Sequence, residues 1–134
     1  MINIWVVLAI LFIHWVADFV LQTDKQAKNK SKSWKALLSH TFNYSLMWYG
    51  IIVIFSVWGN HFGGPKIQDL GWSPWMGLFP VITFVCHTIT DYFTSRLNSK
   101  LYGKGDIHNF FVSIGFDQWL HAVQLLLTYY FCCI

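Results

Sequence analysis

The chain has no glutamate, and charged residues fill only 11% of its 134 positions, about half the share of an ordinary soluble domain. That scarcity argues against a fold built for water. Its three cysteines have no spacing that builds a thiolate site or a disulfide framework. Cys132 and Cys133 are adjacent, and Cys86 precedes His87 and therefore points to another helix face. A Gly-rich phosphate loop, an internal repeat and a low-complexity tract are all missing; Gly63, Gly64 and Pro65 simply punctuate a loop.

What is present is apolar: 55% hydrophobic and 19% aromatic residues. They gather into four runs, each near the roughly 20 residues needed to cross a bilayer. The expected fold is all-α, a polytopic bundle of four transmembrane helices in one domain, 1–134, with helices at about 2–21, 34–58, 75–97 and 110–134. The first run lacks a basic leader and a small-residue cleavage site and contains His14 and Asp18, so it reads as a helix rather than a signal peptide. The third tolerates Pro80 in its first turns. Trp5, Trp34, Trp58, Trp72 and Trp75 fall near the span ends, as an aromatic belt would.

Loop charge gives an orientation. Lys25, Lys28, Lys30, Lys32 and Lys35 follow the first helix, and Arg96, Lys100 and Lys104 follow the third; the loop Gly59 to Pro74 has only Lys66, offset by Asp69. The positive-inside rule puts the two basic loops in the cytoplasm and both termini outside, as in a bacterial inner membrane. The net charge of +3 therefore implies no nucleic-acid partner, because the basic residues serve the membrane surface and its lipids.

Three of the six aspartates lie inside the apolar runs, each four residues from a histidine: His14 with Asp18, His87 with Asp91, and Asp117 with His121. A spacing of four puts both side chains on one helix face, and ionisable residues in hydrocarbon are functional suspects by default. Counted from the cytoplasmic ends, the aspartates lie roughly 5–10 Å deep, their histidines roughly 11–16 Å and His40 about 9 Å. The fourth helix runs the other way, which is why its pair reads Asp before His. Seven residues from four helices thus fall in one slab.

No span has a lysine or arginine near its middle, so the three aspartates are expected to lack a fixed cationic partner. They must be protonated, paired with imidazolium or bound to metal. Imidazole nitrogen with carboxylate oxygen suits zinc, manganese, iron or nickel and suits calcium poorly. The candidate ligands are His14, Asp18, His40, His87, Asp91, Asp117 and His121. Seven exceed one tetrahedral zinc, whereas one or two divalent ions sharing carboxylates can use them. Gln22, Tyr44 and Gln118 stand one turn from, or beside, these ligands and are candidates to orient them. His108 reads as an interfacial residue, and His61 belongs to the outer loop.

The stretch His14-Trp-Val-Ala-Asp18-Phe-Val-Leu-Gln22-Thr-Asp, then Leu38-Ser-His40 with Tyr44, then His87-Thr-Ile-Thr-Asp91-Tyr, then Asp117-Gln118-Trp-Leu-His121 resembles an uncharacterised integral-membrane family of bacteria and phages, domain-of-unknown-function family 3307. The resemblance spans essentially the whole chain and implies almost nothing about activity. More loosely, the His-x3-Asp pairs are similar to small membrane proteins described as metal-dependent hydrolases.

The leading expectation is a membrane-embedded, metal-dependent hydrolase with a site open to the cytoplasm. Its substrate would be a lipid ester or phosphoester, or an anionic metabolite drawn by Lys25, Lys28, Lys35 and Arg96. Asp18, the shallowest aspartate, is the candidate general base if it does not bind metal directly. Two other classes stay open: a divalent-metal or proton transporter or sensor, and a metal-stapled structural or host-interaction protein of a phage. All seven groups lie on one side of the membrane, which weighs against a pathway across it. Four short helices bury little core, which leaves room for a homo-oligomer.

Overall fold

A computed structural model of the chain describes residues 4–63 and 74–133. All regular structure among them is helical. The expected loop features Gly64, Pro65, Lys66, Asp69 and Trp72 lie outside the described residues.

The first apolar run is α1, Ile4–Trp15, which widens into a π turn over Val16–Val20. The Leu21 amide there donates to the Val16 carbonyl at 2.9 Å, a bond spanning five residues. Single π turns of this kind recur at functional sites, and this one contains Asp18. Next comes a short helix absent from the sequence reading, α2, Asp24–Asn29. Thr23 and Gln26 form a capping box: the Thr23 amide donates to Gln26 Oε1 at 2.9 Å and the Gln26 amide donates to Thr23 Oγ1 at 3.3 Å. Gln26 also donates to Ser39 Oγ at 3.0 Å, tying α2 to the next helix.

That helix is α3, Trp34–His61, started by Ser33, whose hydroxyl accepts from the Ala36 amide. A 3-10 turn, Pro74–Gly77, leads into α4, Leu78–Gly103, with Pro80 buried in its first turn. The α4 C-terminus closes as a Schellman motif. Gly105 adopts φ +74, its amide donates to the Tyr102 carbonyl, and the Asp106 amide donates to the Leu101 carbonyl. Asp106 then caps α5, Ile107–Cys133. The Asn109 side-chain and backbone donors hold the Asp106 carboxyl below its ordinary range. The resulting tight turn sets α4 and α5 antiparallel and side by side.

The bundle is inside out for water. Phe12, Phe42, Ile54, Val81, Ile89, Phe93, Phe116 and Trp119 are each more than half exposed. The interior instead holds two layers. Ile10, Trp48, Met76, Phe79, Leu125 and Tyr129 form an apolar layer. His14, Asp18, His40, His87, Asp91, Asp117 and His121 are buried in a polar one. Apolar outside and ionisable inside is the arrangement a bilayer requires.

Among the described residues, three helices are long and apolar enough to cross a membrane: Trp34–Gly59, Trp75–Gly103 and Ile107–Cys132. Ile4–Val20 is a shorter apolar helix.

Candidate metal centre

The seven candidate ligands come from all four long segments and meet at one level of the bundle. His40 Nε2 lies 3.0 Å from Asp18 Oδ1 and 3.3 Å from Asp91 Oδ2. His87 Nε2 lies 3.5 Å from Asp18 Oδ1, 3.6 Å from Asp91 Oδ2 and 3.2 Å from His40 Nε2. His121 Nε2 lies 3.5 Å from Asp91 Oδ1 and 3.3 Å from Asp117 Oδ1. Two trios are compact enough to hold an ion, Asp18–His40–His87 and His87–Asp91–His121, and every member is buried. His87 belongs to both trios, and Asp91 of the second reaches the first, with Oδ2 toward His40 and His87 and Oδ1 toward His121.

These spacings fit coordination better than hydrogen bonding. Nitrogen and oxygen ligands at about 2.0–2.2 Å from a tetrahedral ion lie roughly 3.3–3.6 Å apart, which is where most of the pairs fall. Two imidazole nitrogens that face each other at 3.2 Å put lone pair against lone pair unless a proton or a cation lies among them. Moreover, His121 Nε2 and Asp117 Oδ1 are buried, close together and make no hydrogen bond. Groups that converge without bonding one another fit a cation in their midst.

The surrounding groups orient the rings. His14 is one step removed from the two trios. Its Nδ1 meets the Tyr44 hydroxyl at 2.8 Å and its Nε2 meets Gln118 Oε1 at 3.0 Å. Gln118 Nε2 in turn donates to Asp18 Oδ2 at 3.2 Å and to Asp117 Oδ2 at 3.1 Å. Tyr44, expected beside His40, serves His14 and stacks on His87 with ring centroids 4.0 Å apart. His87 stacks on His121 at 4.1 Å.

One expectation is overturned. The aspartates do not lack a fixed cation: Lys30 Nζ sits 2.9 Å from Asp91 Oδ2. Burial alone would lower the Lys30 ammonium, but the carboxylates of Asp91 and Asp18 outweigh it and hold it above its ordinary value. Counting basic residues inside the spans missed Lys30 because it enters from the loop. The capped α2, tethered through Gln26 to Ser39, turns the chain back under the bundle. The Thr23-x-x-Gln26 capping pattern was the signal in the sequence for that helix.

A cleft of about 420 Å³ reaches the cluster from the end of the bundle where α2 and the α4–α5 turn lie. Asp18, Asp117, Gln118 and Lys30 line it, and so do Gln22 and Lys28. Of the cations expected to draw an anion, Lys28 is therefore at the cleft, whereas Lys25, Lys35 and Arg96 are not among its lining residues. Arg96 instead lies 3.7 Å over the Tyr92 ring and donates to the Tyr92 carbonyl. His108 and His61 are exposed and stand apart from the cluster.

Fold and site together define a helical bundle of membrane type around a buried histidine–aspartate cluster that can hold a metal ion. The chain matches, over residues 6–134, the family described as a protein of unknown function, DUF3307, and belongs to it. No curated protein and no solved structure matches the chain.

Proposed function

We propose that the chain is a four-span membrane protein that binds one or two divalent transition ions, zinc, manganese or iron, and hydrolyses an ester or phosphoester at the cytoplasmic face. In this reading Ile4–Val20 is the fourth span, and the lysine-bearing α2 and the α4–α5 turn face the cytoplasm. The observation that carries it is the cleft: Asp18 and Asp117 belong both to the ligand cluster and to the cleft wall. A structural staple closes its coordination shell, whereas a catalytic site keeps one side open. A bound divalent ion supplies Lewis acidity toward a carbonyl or phosphoryl oxygen and acidifies water.

The chain's own residues do the rest. His40, His87, Asp91 and His121 hold the buried side. Gln118 fixes Asp18 Oδ2 on the cleft side, where Asp18 can accept a proton from an attacking water. Burial of the cluster excludes competing solvent. Beyond the cluster the interior holds the apolar layer of Ile10, Trp48, Met76, Phe79, Leu125 and Tyr129 with the hydroxyls of Thr83 and Thr128, and no carboxylate or imidazole is buried there among the described residues, which weighs against an ionisable path across.

The test is elemental analysis of protein purified without chelators, followed by turnover of lipid ester and phosphoester panels with and without the ion. Metal binding with hydrolysis that is lost on chelation is the expected result. Metal-loaded protein that hydrolyses nothing and carries metal or proton flux in proteoliposomes would overturn the hydrolase reading.

A further inference from the structure

The cleft also carries information about what enters it. Three of its polar atoms outside the ligand cluster are buried and have no hydrogen-bond partner in the protein: Gln22 Nε2, Ser95 Oγ and Asn98 Oδ1. Ser95 is itself more than nine-tenths buried. Leaving such groups unpaired is costly, so they mark where a polar ligand belongs. Lys30 stands with them: Asp91 takes one of its three N–H donors, and the residue also lines the cleft. The lining also includes the apolar side chains of Phe19, which is nearly half exposed, Phe110 and Ile114. The cleft thus combines polar and apolar lining at one end of apolar helices.

Three carboxylates and the Lys30 ammonium leave two negative charges; one divalent ion would cancel them, and two would leave a positive site that favours an anion.

We propose that the ligand of this cleft is the phosphate monoester of a single lipid chain, its phosphate held by Lys30, Gln22 and Ser95 and its alkyl chain lying along Phe19 and Phe110 into the bilayer. This rests on the hydrolase reading above and narrows its substrate. The reaction consumes one water: its oxygen bonds to phosphorus, the bond from phosphorus to the alcohol oxygen breaks, and that oxygen keeps the electron pair and takes a proton. Inorganic phosphate and a lipid alcohol leave.

The experiment uses the full chain, supplied with divalent ion, in nanodiscs of zwitterionic lipid. Binding of dodecylphosphonate, whose P–C bond resists hydrolysis, is followed by phosphorus NMR against methylphosphonate; phosphate release from dodecyl phosphate is compared with turnover of nitrophenyl laurate. Dodecylphosphonate should bind at least about tenfold more tightly than methylphosphonate, and Lys30→Met should weaken it about tenfold. Gln22→Leu removes no hydrogen bond from the folded chain, so it keeps the test alive if Lys30→Met fails to fold; it should weaken binding about threefold to tenfold. Equal binding of methylphosphonate would overturn the lipid, making the ligand a soluble phosphate. Laurate turnover with no phosphonate binding would overturn the phosphate and spare the hydrolase. Unchanged binding in both variants would overturn the placement, and loss of every activity with metal in place would overturn both readings.

Discussion

Asp91→Asn is the most discriminating single change, because Asp91 belongs to one trio, touches His40 of the other and pairs with Lys30. Its side chain is 1% exposed and that of Lys30 18%, with 2.9 Å between the charged atoms. At an effective dielectric near 20, two unit charges at that distance attract by about 6 kcal/mol before desolvation is counted. Removing one partner of a buried pair costs roughly 3–5 kcal/mol, much of it from the charge left behind. Asn keeps the shape and leaves the Lys30 ammonium facing an amide. Metal-free Asp91→Asn should therefore lose about 3–5 kcal/mol in a denaturant titration in mixed micelles. The double variant with Lys30→Met should recover roughly half of that loss, since it no longer strands the Lys30 ammonium. In supplemented protein, Asp91→Asn should also lower bound metal by at least half. Strict additivity of the two substitutions would refute the ion pair, and full metal occupancy in Asp91→Asn would refute its place in the second trio.

Elemental analysis of the wild type should find about one or two ions per chain, and less than a tenth of an equivalent after supplementation would sink the centre. His87→Ala and His121→Ala should lose the metal, whereas exposed His61→Ala should retain it. Asp18→Asn should leave the protein folded, as judged by circular dichroism, and lower turnover at least about a hundredfold; near-wild-type rates would remove Asp18 from the chemistry. In a background lacking the native cysteines, a cysteine replacing exposed Lys32 should resist an impermeant label applied from outside, and one replacing Asn3 should react. The reverse pattern would invert the orientation.

Much of the site was legible because its grammar is local. A spacing of four aligns His87 with Asp91 and Asp117 with His121 on a helix whatever the helix packs against, and a carboxylate in an apolar run must find a partner. Apolar length alone marked α3, α4 and α5, although α4 runs on to Gly103 rather than ending near residue 97. Its true end depends on Gly105 adopting positive φ in the Schellman turn, which an apolar count cannot register.

Tertiary structure decided what depends on approach between distant segments. Lys30 and Asp91 are 61 residues apart, and only the fold of α2 brings the ammonium inward. Periodicity placed Tyr44 beside His40, yet helix packing gave its hydroxyl to His14. The π turn at Val16–Val20 sets how Asp18 meets the cluster, and no spacing rule foretells a wider turn. The cleft follows from where four helices fail to close. Sequence by itself determined which residues must be buried together, because hydrocarbon penalises isolated charge; only packing decided which atom faces which, because that is set by rotations of whole helices.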